Sequence, residues 1–121
     1  MRIAIVDDDT KDLAHLKGVL CVYANAQLMD LEIDAFSSGS DFLQAFRPGK
    51  YSLVFFDNYI GNGLGIDFAR KARAQDEDVE FVFVSMSREF AVAGFEVRAM
   101  HYLSKPATPN DIKKVFERFL R

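Results

Sequence analysis

Apolar residues in this chain occur in short continuous runs, and segments with helical spacing separate the runs. The runs RIAIV (2–6), LVFF (53–56) and FVFV (81–84) are rich in Ile, Val and Phe, which is typical of strands covered on both faces in a parallel sheet. LEIDAF (31–36) alternates apolar and polar residues, as a strand nearer an edge does, and MHYLS (100–104) is a weaker candidate. The pattern therefore predicts five strands.

Five helices are predicted between and after these runs, because apolar residues recur there three and four positions apart. Their apolar positions are Leu13, Leu16, Leu20 and Tyr23; Phe42, Leu43 and Phe46; Ile66, Ala69 and Ala72; Phe90, Ala93 and Val97; and Ile112, Val115, Phe116, Phe119 and Leu120. Asp9 and Thr10 are the candidate caps of the first helix, and Ser40 is the candidate cap of the second. Thr108 followed by Pro109 predicts the start of the last helix.

Strands that alternate with helices predict right-handed crossovers and a parallel sheet with helices on both faces. We therefore expect a three-layer, doubly wound (βα)5 fold. The 121 residues suit one domain, and no repeat or linker divides them, so the predicted domain spans residues 1–121. Half the residues are hydrophobic and 27% are charged, which is the balance of a globular domain.

The charge and the cysteine content narrow the class of protein. A net charge of -3 and a pI near 5.3 argue against direct nucleic-acid binding, so a DNA-binding role would need another module. Cys21 is the single cysteine; it excludes an internal disulfide, fits a reducing compartment and is expected to pack as a small apolar residue. No apolar run is long enough to cross a membrane and the start lacks a signal-peptide core. A cytoplasmic protein is the expectation.

Carboxylates follow two of the predicted strands. Asp7, Asp8 and Asp9 come directly after the first strand, and Asp57 comes after the third. The carboxyl ends of parallel strands meet at one edge of a sheet, where ligands of such folds collect. Crowded carboxylates raise one another's pKa, so a cation is expected among them. Oxygen ligands favour Mg²⁺ over zinc.

A hydroxyl and an amine follow two of the three other predicted strands. Ser85 follows FVFV, and Lys105 follows HYLS and precedes Pro106. A transferring phosphoryl group spreads its charge over three oxygens, which a metal ion, a hydroxyl and an ammonium can stabilise together. An ionised carboxylate is a nucleophile for phosphate without a general base. The set predicts phosphoryl transfer to Asp57.

These residues also carry a family resemblance. IVDDD, FFDNYIGNGLG, FVFVS and YLSKP occur in the order and approximate spacing found in the receiver domains of two-component response regulators, over essentially all 121 residues. The resemblance implies a flavodoxin-like fold of strand order 2-1-3-4-5. By position it assigns Asp57 as phosphoacceptor, Asp7 and Asp8 with the Tyr59 carbonyl as Mg²⁺ ligands, Ser85 as the moving hydroxyl, Lys105 as its cationic partner, Tyr102 as the aromatic switch residue and Lys105–Pro106 as a cis peptide bond.

The resemblance further implies partners. A sensor histidine kinase or a phosphotransfer protein would donate the phosphoryl group, and the surface of the fourth helix, fifth strand and fifth helix would form a homodimer or meet an effector. The segment FEVRAMHYLSKP (95–106) resembles receivers that precede LytTR-type DNA-binding domains, so such a domain is expected outside this chain. The implied domain is regulatory rather than enzymatic, with at most self-phosphorylation and self-dephosphorylation.

The loop after Asp57 departs from the family pattern and keeps two alternatives open. Receivers usually carry Met-Pro and then Asp-Gly there, whereas this chain has Ile60, Gly61, Leu64 and Gly65. One alternative is a binding module that keeps the fold and no longer takes phosphate. The other is an aspartyl-phosphate phosphatase. This is the weaker hypothesis, since the resembling enzymes carry a D-x-D pattern and Tyr59 stands here in the place of the second acid. Gly65 is expected at a close backbone approach or a positive φ.

Overall fold

The structure is a computed structural model that describes residues 1–87, 89 and 91–120. The strands and helices of this part of the chain are β1 (Arg2–Val6), α1 (Thr10–Ala26), β2 (Glu32–Phe36), α2 (Gly39–Ala45), β3 (Leu53–Phe56), β4 (Tyr59–Ile60), β5 (Gly63–Leu64), α3 (Gly65–Gln75), β6 (Glu80–Ser85), a 3-10 helix (Ala93–Val97), β7 (His101–Ser104) and α4 (Pro109–Phe119). No helix in the described ranges is long and apolar enough to cross a membrane.

Five strands form one parallel sheet in the order β2-β1-β3-β6-β7. The short strands β4 and β5 form a separate antiparallel hairpin. When the hairpin is set aside, the order is the 2-1-3-4-5 order that the resemblance implied, so the predicted fold is confirmed. β2, predicted near an edge from its alternating pattern, is an edge strand.

The alternation of side chains along the strands builds two cores, one on each face of the sheet. On β3, Val54 and Phe56 belong to the cluster that packs under α2 and α3. Leu53 and Phe55 of the same strand belong to the cluster under α1 and α4. All four residues of β3 are buried, as the continuous apolar run predicted. The result is the expected three-layer arrangement.

Most of the predicted helix starts are observed. The Asp9 side chain caps α1 by accepting from the backbone amides of Lys11 and Asp12, and Thr108 forms a capping box with Asp111 at the start of α4. The prediction of Ser40 as the cap of α2 is wrong. Ser38 is the cap, because its hydroxyl accepts from the amide of Asp41, three residues on.

Three further expectations differ from the structure. The fourth helical segment is a 3-10 helix in its described part, and it ends where Arg98 adopts a left-handed φ of 56°; Phe90 lies outside the described residues. Leu120 is not on the buried stripe of the last helix, since it follows the final turn and is 59% exposed. Cys21 is exposed, because it lies on the outer side of α1 rather than on the face that carries the buried Leu16 and Leu20.

Candidate functional site

The register of β1 and β3 brings the predicted carboxylates together. Val6 pairs with Phe56 in the parallel ladder, so the next residue of each strand leaves the sheet at the same edge. The amide of Asp57 donates to the carbonyl oxygen of Val6 at 3.2 Å. Asp7, Asp8 and Asp57 each offer one carboxylate oxygen, and these three atoms lie within 4.8 Å of one another. The predicted acidic cluster is therefore present.

Lys105 supplies a cation to this cluster. Its Nζ donates to Oδ2 of Asp7 at 2.8 Å, to Oδ2 of Asp12 at 2.6 Å and to Oδ2 of Asp57 at 3.0 Å. The lysine side chain is 9% exposed. An ammonium has three N–H donors, and here each one meets a different carboxylate. The peptide bond from Lys105 to Pro106 is cis, as the resemblance implied.

The charges of the cluster shift two pKa values. Burial raises the pKa of Asp7, although the hydrogen bond from Lys105 and the amide of Asp9 both work in the opposite direction. Burial of Lys105 opposes its charge, but the hydrogen bonds to Asp12, Asp7 and Asp57 outweigh it and raise the pKa of the lysine well above its ordinary value. The ammonium is therefore charged at neutral pH.

Ser85 lies at the same edge of the sheet. It ends β6, the neighbour of β3, and is 3% exposed. Its carbonyl oxygen accepts from the amide of Lys105 at 3.0 Å, which joins the ends of β6 and β7. Its hydroxyl oxygen accepts from the amide of Ser87 at 3.4 Å. All the strand ends that carry predicted chemistry thus meet around Asp57.

The loop after Asp57 folds as a hairpin of β4 and β5. Gly61, the first of its two central residues, has a φ of 61°, which is what a type II′ turn requires of that position. The amide of Gly61 donates to Oδ2 of Asp8 at 2.9 Å, and Ile60 is 2% exposed. The hairpin gives the loop a defined geometry without the proline of the family pattern. Tyr59, which begins β4, is 49% exposed.

Gly65 allows the hairpin to pass close to the end of the strand that carries Asp57. Its amide donates to the carbonyl oxygen of Asn58 at 2.8 Å, and a Cβ atom at this position would overlap the carbonyl oxygen of Asp57. The expected close backbone approach is confirmed, and it is the reason for a glycine here.

Comparison with known families identifies this arrangement. Residues 3–117 match the sequence model of the response regulator receiver domain. The chain belongs to this family. The predicted family is therefore confirmed, and the function is that of a receiver, a phosphorylation-dependent signalling switch.

Curated relatives of this receiver are longer proteins. It is 24% identical to the transcriptional regulatory protein NatR of Bacillus subtilis over the whole chain and 50% of the relative. It is 28% identical to the sensory transduction protein LytR of Staphylococcus haemolyticus, with 88% of the chain and 40% of the relative covered. The chain spans about half the length of the curated relatives it matches. Relatives named LytR and LytT agree with the resemblance to LytTR-linked receivers.

Solved receiver structures have the same fold. The receiver domain of DrrB with BeF3, from a Thermotoga maritima protein, aligns with a TM-score of 0.79 and 26% identity, covering 98% of this chain and 96% of that one. A CheY-like receiver from Methanospirillum hungatei aligns with a TM-score of 0.82 and 26% identity, covering 98% and 92%.

Sequence reasoning missed two residues of the receiver site. Asp12 makes the shortest of the three contacts to Lys105, and it lies on α1 one turn beyond Asp8, a spacing that could have shown that it faces the same site. Asn58 follows Asp57 and is 1% exposed. Its direct adjacency to Asp57 was the available signal, but a polar residue after a strand usually indicates only a turn.

Tyr102 points toward the interior of this receiver. Its ring stacks on Phe83 with centroids 5.6 Å apart and planes 16° from parallel. Its hydroxyl donates to Oδ1 of Asn58 and lies 3.4 Å from the carbonyl oxygen of Ser87. The predicted switch residue is thus in contact with Asn58, the residue that follows Asp57.

Proposed function

We propose that Asp57 accepts a phosphoryl group from the phosphohistidine of a sensor histidine kinase or of a phosphotransfer protein. The observation that carries this proposal is the position of the Asp57 carboxylate, 3.0 Å from the Lys105 ammonium and grouped with Asp7 and Asp8. An oxygen of Asp57 forms a bond to phosphorus while the donor's N–P bond breaks, and the released imidazole takes up a proton. The side chain of Asp57 is 13% exposed, which leaves it a narrow access to the donor.

The same residues fit a divalent cation. Asp7, Asp8 and Asp57 present carboxylate oxygens within 4.8 Å of one another, and an all-oxygen set with room for water suits Mg²⁺. These three residues, with the carbonyl oxygen of Tyr59, would hold the ion. When bound, Mg²⁺ neutralises the carboxylates and the developing charge on the phosphoryl oxygens.

The remaining catalytic tasks belong to Lys105 and Ser85. Lys105 is charged and already bonded to Asp57 Oδ2, so it can transfer that hydrogen bond to a phosphoryl oxygen with a small movement. Ser85 lies at the end of the neighbouring strand and would move its hydroxyl toward the phosphoryl group. Tyr102 would then pack in the space behind Ser85, which makes the two residues a switch.

The output would use the surface of the 3-10 helix region, β7 and α4. Val92 and Phe95 on this side are 78% and 82% exposed, which suits a surface that forms a homodimer or meets an effector. We expect a LytTR-type DNA-binding effector domain outside residues 1–121 and a cytoplasmic location. The domain itself is regulatory, with at most self-phosphorylation and self-dephosphorylation.

Acetyl phosphate with Mg²⁺ tests this function, with intact mass as the readout. The receiver should gain one phosphoryl mass, and Asp57→Asn should gain none. Asp67→Asn is the matched control, since Asp67 is an exposed acid of α3 that bonds only Arg70 among its described contacts. Labelling that persists in Asp57→Asn would reject the phosphoacceptor, and a wild-type protein that is never labelled would favour the binding-module alternative.

A further inference from the structure

Asn58 connects the phosphoacceptor to the aromatic switch residue. Its backbone amide donates to Oδ1 of Asp57 at 2.7 Å, and its side chain reaches two other elements. Nδ2 donates to the carbonyl oxygen of Ser87 at 2.8 Å, and Oδ1 accepts from the hydroxyl of Tyr102. Asn58 therefore contacts the Asp57 carboxylate, the loop after β6 and the Tyr102 side chain on β7.

The orientation of the Asn58 carboxamide follows from its partners. A carbonyl oxygen can only accept, so the group that faces Ser87 must be the NH₂. The carboxamide oxygen consequently faces Tyr102, and the tyrosine hydroxyl must be the donor. Asn58 is 1% exposed, so loss of either partner would leave a buried polar atom unsatisfied.

We propose that Asn58 is a positioning residue of the switch, which holds Tyr102 inward before any phosphoryl group is bound. This inference rests on the proposed function, in which Tyr102 packs behind Ser85 after phosphorylation. Because the Asn58 hydrogen bond and the stacking on Phe83 already favour the inward ring, the unphosphorylated receiver populates that arrangement. A protein that already populates the phosphorylated arrangement takes the phosphoryl group with less conformational cost.

The same contacts give a route from the carboxylate to the switch. Conversion of the Asp57 carboxylate into an acyl phosphate changes the charge on the acceptor of the Asn58 amide. The Asn58 side chain moves with its backbone, and its carboxamide is bonded to both Ser87 and Tyr102. Asn58 therefore carries a displacement at the phosphoacceptor directly to the tyrosine, in addition to the movement of Ser85.

The position of the Tyr102 ring in the unphosphorylated protein gives a test that does not need phosphorylation. Ring resonances of ¹³C-labelled tyrosine are recorded for wild type, Asn58→Leu and Tyr102→Phe, the last of which assigns the signal. We expect the Tyr102 ring signal to carry the ring-current shift of its stack on Phe83 and to lose it in Asn58→Leu. An unchanged Tyr102 signal in Asn58→Leu would overturn the inference.

The rate of labelling by acetyl phosphate with Mg²⁺ gives the second readout. Asn58→Leu and Tyr102→Phe should each slow labelling about fivefold, the effect of one net hydrogen bond, and the double variant should be no slower than either single one. Tyr51→Phe is the matched control, because the Tyr51 hydroxyl donates to Asp34 on β2, the outer strand on the other side of the sheet from β7. This variant should label like wild type. Multiplying effects in the double variant would contradict a shared hydrogen bond.

Tyr102→Phe keeps the test decisive if Asn58→Leu does not fold, since it removes only the hydroxyl and keeps the ring. Slower labelling by this variant alone, with Tyr51→Phe unchanged, would support the inference, and wild-type rates would overturn it. The failure of the proposed function is a separate result, seen as an unlabelled wild-type protein whose Tyr102 signal still reports the ring position.

Discussion

Replacement of Lys105 by methionine should destabilise the receiver, because it removes the cation that three carboxylates share. The ammonium lies 2.8 Å from Asp7, 2.6 Å from Asp12 and 3.0 Å from Asp57. Methionine keeps much of the buried stem and removes the charge. The carboxylates are then left to repel one another at the edge of the sheet.

The size of the loss follows from burial. Removing one partner of a buried ion pair costs about 3–5 kcal/mol, and the side chains of Lys105 and Asp7 are 9% and 8% exposed. Asp12 is 40% exposed and can return to water, so its share is smaller. We expect a loss of about 2–3 kcal/mol at neutral pH, which corresponds to a fall of about 1–2 M in the urea midpoint.

The loss should depend on pH with a defined sign. The pKa of Asp7 is raised in the folded protein, so the folded state holds its proton more tightly than the unfolded state, and ionisation of Asp7 costs stability as pH rises. Without Lys105 that pKa rises further. The difference between wild type and variant should therefore be small near about pH 4 and complete near pH 7. The raised pKa of Lys105 keeps its contribution present below about pH 10 and removes it only at higher pH.

Urea unfolding from pH 4 to pH 8 measures this loss, with Lys113→Met as the control. Lys113 is 64% exposed and lies 3.9 Å from Glu117, so its replacement should change stability by less than about 0.5 kcal/mol. Mg²⁺ should restore much of the stability of Lys105→Met, because it provides the missing positive charge. Equal midpoints for wild type and Lys105→Met in chelator at pH 7 would refute the reasoning.

Four other substitutions have defined outcomes, two of them compared as a pair. Gly65→Ala should cost about 3 kcal/mol or more, because its Cβ would overlap the Asp57 carbonyl oxygen. Gly18→Ala, with open space around it, should instead stabilise α1 by about 0.5–1 kcal/mol. Thermal unfolding compares the two variants, and equal effects on stability would contradict the clash. Tyr59→Ala should shorten the phosphoryl lifetime, since it removes a bulky side chain two residues from the proposed acceptor and would leave more room for water there, and unchanged dephosphorylation would reject this role. Asp12→Asn should label with acetyl phosphate about twofold to fivefold faster, because one negative charge leaves the site, and a slower rate would contradict it.

The sheet could be predicted from the sequence because its signal is local. Each central strand is a continuous apolar run, as in the four buried residues Leu53–Phe56, and the polar residue that follows a run marks the carboxyl end of the strand. The parallel register then brings Asp7 and Asp57 together. The order of the strands was therefore enough to predict the acidic cluster and its cation.

The contacts that the sequence did not predict depend on side-chain direction. Asp12 could be read as an ordinary acid in the first turn of a helix, and only the path of Lys105 after β7 makes it a site residue. Asn58 gains its role from the inward Tyr102, which belongs to another strand. The hairpin of β4 and β5 is too short for a periodic pattern, and Gly61 alone indicates only a turn.

The identity of the acceptor residue is the central claim, and chemical trapping tests it most directly. The receiver is treated with acetyl phosphate and Mg²⁺, the acyl phosphate is reduced with borohydride, and peptide mass spectrometry locates the homoserine that forms from the phosphorylated aspartate. We predict homoserine at position 57 and none at Asp7, Asp8 or Asp12. Homoserine at one of those three positions, or at none in a protein that has gained a phosphoryl mass, would contradict the account.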